Sequence, residues 1–553
     1  AAREAWLGSR AVARWWLDHR LVPNGELGGL VGDDSDMYQN WADLPLFESD
    51  GVGGRVKEAG ARLMELAAAE NLTGGLNRVT TDPLHAYEEG VNQLALMTFW
   101  SYGDPLYLER CFENARNTEA LTVVTPAGHR HFRSQQISAQ DITTPRPPEI
   151  DGEAHPLMWH PSLEVAWYNR SPAVLRRLDE WASGWLAHLE PGKNAESVEV
   201  ATETARSVRP YALAGGYGSQ ATTFASLYLL TGDLKYLQPW LAEWQRSGWS
   251  RQGSVVLQEF AELLPAGALG PKERDCQRAN PITCYRLHGD KAPLIQALRR
   301  DVAELQRFGA MYTSAEVFTD RVFLYPLLNP ARCYLGGEWT RNSFTRDHAV
   351  SWSGFGTDYA ALVQTNRPDR LRVLLYNFAA EPLRGEARVW RLSHGRYSLR
   401  LGPDHNGDDR LDQVAVEHEM TLRRGDRLPL TLPPGVVTVL ELEQTAALEN
   451  LFERPDLALA PRDLRTDAGG VTCRVHNLGA ATAPASKVAL LDAQGHLLAT
   501  AVAPPIEAPL DLAPHSVQVI LGVAPPTGPW RVAIDPDDAI AEINEANNAA
   551  DAP

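Results

Sequence analysis

Tyr102-Gly103-Asp104-Pro105-Leu106-Tyr107-Leu108 returns as Thr231-Gly232-Asp233-Leu234-Lys235-Tyr236-Leu237, and more weakly as His288-Gly289-Asp290-Lys291. Glycine can take the left-handed position that ends a helix, and aspartate can cap the start of the next, so Gly-Asp makes a compact turn for a helical hairpin. Each copy follows one apolar helix and precedes another. Hairpins repeated in this way must bury their inner faces against neighbours, which predicts a closed (α/α) toroid or a solenoid. Around the copies, residues 1–365 carry apolar stripes at helical spacing, as in Ala11-Val-Ala-Arg-Trp15-Trp16-Leu17 and Leu175-Arg-Arg-Leu178-Asp-Glu-Trp181-Ala-Ser-Gly-Trp185-Leu186.

The period changes near residue 365. Arg370–Phe378, Glu386–Leu392, Arg396–Leu401 and Gly435–Leu442 read as strands separated by turn signals, and residues 366–446 are expected to form an antiparallel β-sandwich. A second β module follows over residues 447–553, with strands at Asp456–Leu459, Gly470–Asn477, Lys487–Leu491 and Trp530–Ile534. A chain of 553 residues is too long for one core and fits these three domains.

Composition excludes some partners. No run of about 18 apolar residues is present, so no helical membrane span is expected. A net charge of −18 argues against a general nucleic-acid binder, whose affinity rests on Lys and Arg neutralising phosphates. A cleft can still be basic on an acidic body, and His129-Arg130-His131 with Arg133 is the candidate patch for an anionic substrate. The start, Ala1-Ala2-Arg3-Glu4-Ala5-Trp6, has no signal-peptide pattern, so any export signal has been removed or the chain is a fragment. Five cysteines have no zinc-site or disulfide-scaffold spacing, although Cys276 and Cys284 could close a small loop.

Three clusters could carry chemistry. Pro23–Trp41 concentrates glycines and the carboxylates Glu26, Asp33, Asp34 and Asp36 between helical stretches. Such carboxylates can work as acid and base on a glycosidic bond, or hold a cation such as Ca²⁺, or simply cap the following helix. Asp82–Asn92 brings His85, Glu88, Glu89 and Asn92 within one or two helical turns, with His85 and Glu89 on one face and Glu88 and Glu89 as further hydrolase carboxylates, but lacks a zinc pattern. Met158–Arg170 gathers Trp159, His160, Glu164, Tyr168, Asn169 and Arg170; its tryptophans are sugar platforms or core. Elimination from a uronic acid needs a His or Tyr to move the C5 proton, and an Asn or Arg to neutralise the carboxylate. His160, Tyr168 and His85 are the candidates for proton transfer, with Asp33 and Asp34 as the catalytic pair of a hydrolase. Glu26, Asp36, Asn92, His129, Arg130, His131, Trp159, Glu164, Asn169 and Arg170 are the candidate substrate contacts. No metal ligand set stands out, and the Asp404–Asp412 turn lacks the glutamate that would complete a Ca²⁺ loop.

Val475-His476-Asn477-Leu478-Gly479, Ala483-Pro484-Ala485, Ile534-Asp535-Pro536 and Glu542-Ile543-Asn544-Glu545-Ala546-Asn547-Asn548 resemble the CARDB domain, an immunoglobulin-like module of bacterial extracellular proteins. The resemblance covers about the last hundred residues. It implies export and cell-surface or matrix association. A helical toroid followed by a β-sandwich resembles polysaccharide lyases of the heparinase, chondroitinase and alginate lyase type. That resemblance implies β-elimination on a uronic-acid polysaccharide, with a toroid glycoside hydrolase next and a non-catalytic glycan-binding protein third.

Overall fold

The computed structural model describes residues 1–140, 149–189, 193–206, 209–210, 219–247, 262–265, 268, 280–307, 319, 328–339, 341–467 and 470–552. The chain divides into two compact units. One comprises Ala1–Leu96, Ala120–His160 and Asp179–Leu448, and the other Met97–Glu119, Pro161–Leu178 and Glu449–Pro553.

The first unit is helical and then β. Helix Ala2–His19 buries Trp6, Val12, Ala13, Trp16 and Leu17, the stripe expected from its spacing. It packs on helices Gly51–Glu70 and Ala292–Arg307. Trp6 stacks on Phe47 with ring centroids 5.2 Å apart and meets Tyr334 and Tyr359, so this helix is anchored to the start of the β region. Trp181 and Trp185 on helix Pro172–Leu186 are fully buried, the former against Phe224.

The Gly-Asp turns form as read. Gly103, Gly232 and Gly289 have φ of +85°, +73° and +77°, where a Cβ is disfavoured. Asp104, Asp233 and Asp290 accept the backbone N–H two residues ahead at 3.0, 2.9 and 2.9 Å.

Short hairpins interrupt the helices. Thr122–Val124 pairs with Arg130–Phe132, and Ile150–Gly152, Ser197–Glu199 and Thr204–Arg206 form a three-stranded sheet. Their runs are too short to show a period of two. The larger β region begins at Val350, ahead of the change of period near residue 365. Val350–Ser353, Leu383–Val389 and Arg427–Leu432 make one antiparallel sheet. The other runs in the order Tyr359–Arg367, Arg370–Asn377, Val437–Ala447, Gly395–Asp404 and Val416–Leu422. Alternation is clean in Arg427–Leu432, where Leu428, Leu430 and Leu432 point inward.

In the second unit the C-terminal residues form two antiparallel sheets. Leu457–Ala458, Leu464–Asp467 and His515–Ile520 join Gly470–Asn477, and Leu497–Ala503, Ser486–Asp492, Trp530–Ile534 and Ala549–Asp551 make the other. Val471, Cys473 and Val475 from one sheet share a core with Val488, Leu490, Val532 and Ile534 from the other. The residues that carry the CARDB resemblance build a buried polar network. Asn477 donates to the carbonyls of Ala481, Ile506 and Glu507 and accepts from Gly479 N at 3.0 Å, while Asn544 N donates to Asp456 at 2.9 Å. A Cβ on Gly479 would lie 2.4 Å from the Pro455 carbonyl carbon, so only glycine fits there. Cys111, Cys333 and Cys473 are buried free thiols; Cys284 is disulfide-bonded, and Cys276 lies outside the described residues. No described helix is long and apolar enough to cross a membrane.

Candidate functional site

Helix Leu30–Gln39 enters from the glycine-rich loop with Leu30 at φ +62° and three-quarters exposed. Asp34 accounts for that entry. Its carboxylate accepts the backbone N–H of Leu27, Gly28 and Gly29 at 2.7, 3.2 and 3.0 Å and the Thr319 hydroxyl at 2.6 Å. Burial raises its pKa, and those four donors pull the other way. With its lone pairs spent on the loop, Asp34 is a structural anchor rather than the hydrolytic carboxylate proposed from sequence. Glu26 bonds the side chain of its neighbour Asn24 at 2.8 Å. Asp33 is half-buried at the helix start.

Asp36, two residues on, faces a different cluster. It is buried, accepts Gln39 Nε2 at 2.5 Å and Asn92 Nδ2 at 3.4 Å, and forms an ion pair with Arg341. Arg341 also reaches Glu88 Oε1 at 3.6 Å, and its side chain keeps 38% of its surface open to solvent. Glu88 sits in a π-helical turn, Tyr87–Val91, wedged between helices Pro83–Ala86 and Asn92–Trp100. Such bulges interrupt the i→i−4 ladder, and their carbonyls need other donors. Asn71 Nδ2 donates to Glu89 O at 2.6 Å, and Ser35, which also receives Asn92 Nδ2 at 2.6 Å, donates to Glu88 O at 2.8 Å.

The same turn presents Tyr87 to His160. Tyr87 Oη lies 2.9 Å from His160 Nδ1, the two rings are edge-on at 5.0 Å, and Phe344 covers the imidazole at 5.7 Å. Burial, with help from the Arg346 charge, pushes His160 down to about 3, so the ring is neutral at neutral pH. Residues 341–348, just ahead of the first long strand, supply Arg341, Phe344 and Arg346, and Asn342 N donates to Gln39 Oε1 at 2.6 Å.

No family model and no curated protein matches the chain. Among solved structures, a β-glucuronidase from Ruminococcus gnavus in complex with uronic isofagomine has a TM-score of 0.11 and 12% identity, covering 32% of this chain and 34% of that one. A likeness that slight carries no weight here.

The remaining nominated residues lie elsewhere. His85 is exposed and pairs with its own N-cap, Asp82, at 2.6 Å. Trp159 is fully buried against Phe132, which makes it core and not a sugar platform. Glu164 is buried and accepts from Thr98 at 2.9 Å. Tyr168, nominated for proton transfer, donates to Asp456 at 2.5 Å and is completely buried, and both features hold its phenol pKa well above the ordinary value. Asn169 donates to Leu478 O at 3.0 Å, and Arg170 lies 4.7 Å over Phe452. Tyr168, Asn169 and Arg170 therefore serve the second unit's own packing, which leaves His160 as the residue of that helix with a place in the cluster.

Arg130 bonds Glu180 at 2.7 Å and Thr122 at 2.7 Å, and only 7% of its side-chain surface is open to solvent. His129 lies 2.8 Å from Glu203, and His131 Nδ1 lies 3.0 Å from Asp151. Burial would raise Asp151, but His131 and His155 outweigh it and hold its pKa below the usual value. The Asp404–Asp412 turn saturates itself: Asp404 accepts the amides of Gly407 and Asp409, and Asp412 those of His405 and Asn406.

Sequence reasoning reached Asp36, Glu88, Asn92 and His160 but missed Tyr87 and residues 341–348 as site members. Arg341-Asn342-Ser343-Phe344-Thr345-Arg346-Asp347-His348 is a dense polar run at the helix-to-strand junction, and that was the available signal.

Proposed function

We propose that this chain is an exported carbohydrate-active enzyme of the (α/α)-toroid type that cleaves a uronic-acid polysaccharide by β-elimination. The observation that carries the reading is the π turn at Tyr87–Val91, which holds Tyr87 against a neutral His160 while aiming Glu88 at the half-open Arg341. In this reading Arg341 binds the uronate carboxylate and offsets the charge that grows on it as the C5 proton leaves. Asp36 and Glu88 hold the guanidinium in place. Tyr87 and His160 are both buried, so in this reading the substrate reaches them as the turn opens, and they then pass the C5 proton to the leaving glycosidic oxygen. The Cys284 disulfide fits an oxidising compartment, and the CARDB-like module fits a surface or matrix location.

A hydrolase is the second reading, because Asp36 and Glu88 are two buried carboxylates at one cluster. Both are ion-pair partners of one guanidinium, an arrangement suited to anchoring rather than to an acid opposed by a base across a sugar.

The test is incubation with hyaluronan, chondroitin, heparosan, alginate and polygalacturonate, following near-ultraviolet absorbance and reducing ends together. Elimination leaves an unsaturated uronate that absorbs. His160→Ala should lower that rate about 10²–10⁴-fold with the fold intact. Reducing ends without absorbance would transfer the chemistry to Asp36 and Glu88. Glycan binding without cleavage would leave a non-catalytic binder.

A further inference from the structure

The two short hairpins of the first unit bring together residues that are far apart in sequence. His129 precedes and His131 lies within strand Arg130–Phe132, on the returning arm of the Thr122–Phe132 hairpin, and Glu203 ends the turn between Ser197–Glu199 and Thr204–Arg206. One ligand atom from each lies within 4.8 Å of the others. We propose that His129, His131 and Glu203 bind one divalent transition-metal ion of the zinc class, with water in the fourth position.

Four independent features support the site. His131 has no exposed surface, and its Nε2 has no hydrogen-bond partner among the described residues. His131 Nδ1 is fixed by Asp151, which also takes Trp185 Nε1 at 3.0 Å. A carboxylate on one ring nitrogen sets the tautomer that frees the other for a metal, the usual outer-shell arrangement of a ligating histidine. Gly184 keeps the space open, since a Cβ there would sit 2.9 Å from His131 Nε2. Finally, Glu203 is held at φ +48°, in the left-handed region that a non-glycine residue adopts at a cost, and this conformation places its carboxylate 2.8 Å from His129.

The donor set decides the ion class. Imidazoles with one carboxylate suit zinc and its neighbours, whereas Ca²⁺ and Mg²⁺ prefer oxygen alone. Nitrogens on a tetrahedral ion at about 2.05 Å lie about 3.3 Å apart, so the ligands must close inward by about 1 Å. His131 is locked, while His129 and Glu203 are partly exposed and can swing. The ion would replace the His129–Glu203 hydrogen bond and tie the two hairpins to each other.

Untagged full-length protein, stripped with chelator and titrated with ZnCl₂, should take up one equivalent. Its melting temperature should rise by about 3–5 °C at free zinc near 100 times the Kd. Glu203→Gln and His129→Gln, both at partly exposed positions, should weaken binding at least about tenfold while the metal-free melting temperature stays within about 1 °C of the parent. With Co²⁺ in place of zinc, the visible band should vanish in Glu203→Gln. Uptake below one-tenth of an equivalent, or unchanged stoichiometric binding in both variants, would overturn the assignment.

Discussion

Asp34 and Asp36 stand two residues apart on one short helix, and both are buried, yet their partners differ completely. Asp34 bonds three consecutive backbone amides and a threonine hydroxyl, all within 3.2 Å, and the chain could take its turn through Gly28 and Gly29 only with such a receptor in place. Asp36 bonds the side chains of Asn92, just past the π turn, and of Arg341. The sequence showed that carboxylates were concentrated here, and local spacing could reveal no more than that. The partner of Asp36 arrives from 305 positions away, and no period or motif spans that distance. Removing Asp34 would leave buried donors unpaired, at about 1–3 kcal/mol each. Asp34→Ala should therefore destabilise the first unit by about 3 kcal/mol or more, seen as an earlier thermal transition. An unchanged melting temperature with lost turnover would instead return Asp34 to the chemistry.

At the scale of elements, the Gly-Asp turns were legible because every atom they need lies within four residues: a glycine at positive φ and a carboxylate two residues from the amide it caps. The π turn at Tyr87–Val91 was not legible, because its cause is tertiary. Its displaced carbonyls are satisfied by Asn71 and by Ser35, residues on two other elements. Ser35 is the joint, since it also receives Asn92, which in turn touches Asp36. Ser35→Ala deletes the donor to Glu88 O and an acceptor of Asn92 without changing any charge. The expected loss of stability is about 1–2 kcal/mol. The turn should then relax toward regular α-helix and rotate Glu88 away from Arg341. Activity on a uronate polymer should fall more than stability does, chiefly through KM, as the guanidinium loses one of its two anchors. Equal kcat and KM in the variant and the parent would show that the turn keeps its shape without Ser35.

At the scale of a whole unit, three buried groups make the stability of the second unit depend on pH. Burial pushes the Asp456 carboxyl up to about 7 and that of Glu542 up to about 9, the latter aided by the Asp456 charge. Burial would lower His476, but hydrogen bonds and charge from Asp463 and Glu109 outweigh it and raise it to about 9. All three folded values exceed the unfolded ones, so the unfolded chain loses its protons first as pH rises. For Asp456 the stabilisation is whole below about 3.9 and is lost on the way to about 7; for Glu542 it is lost between about 4.3 and 9, and for His476 between about 6.5 and 9. The three windows overlap and slope the same way. The second unit should be most stable in mild acid and lose on the order of 3 kcal/mol or more between pH 5 and pH 9. Pulse proteolysis in urea, scored by cleavage within residues 449–553, should show the midpoint falling steadily over that range. His476→Gln removes one of the two titrations that run on above neutrality, so its midpoint should be lower at pH 7 but flatter from pH 7 to pH 9. A parental midpoint that rises or stays level from pH 5 to pH 9 would mean that Asp456 and Glu542 are ionised in the folded unit, paired more strongly than the distances around Tyr168 and Asn544 provide.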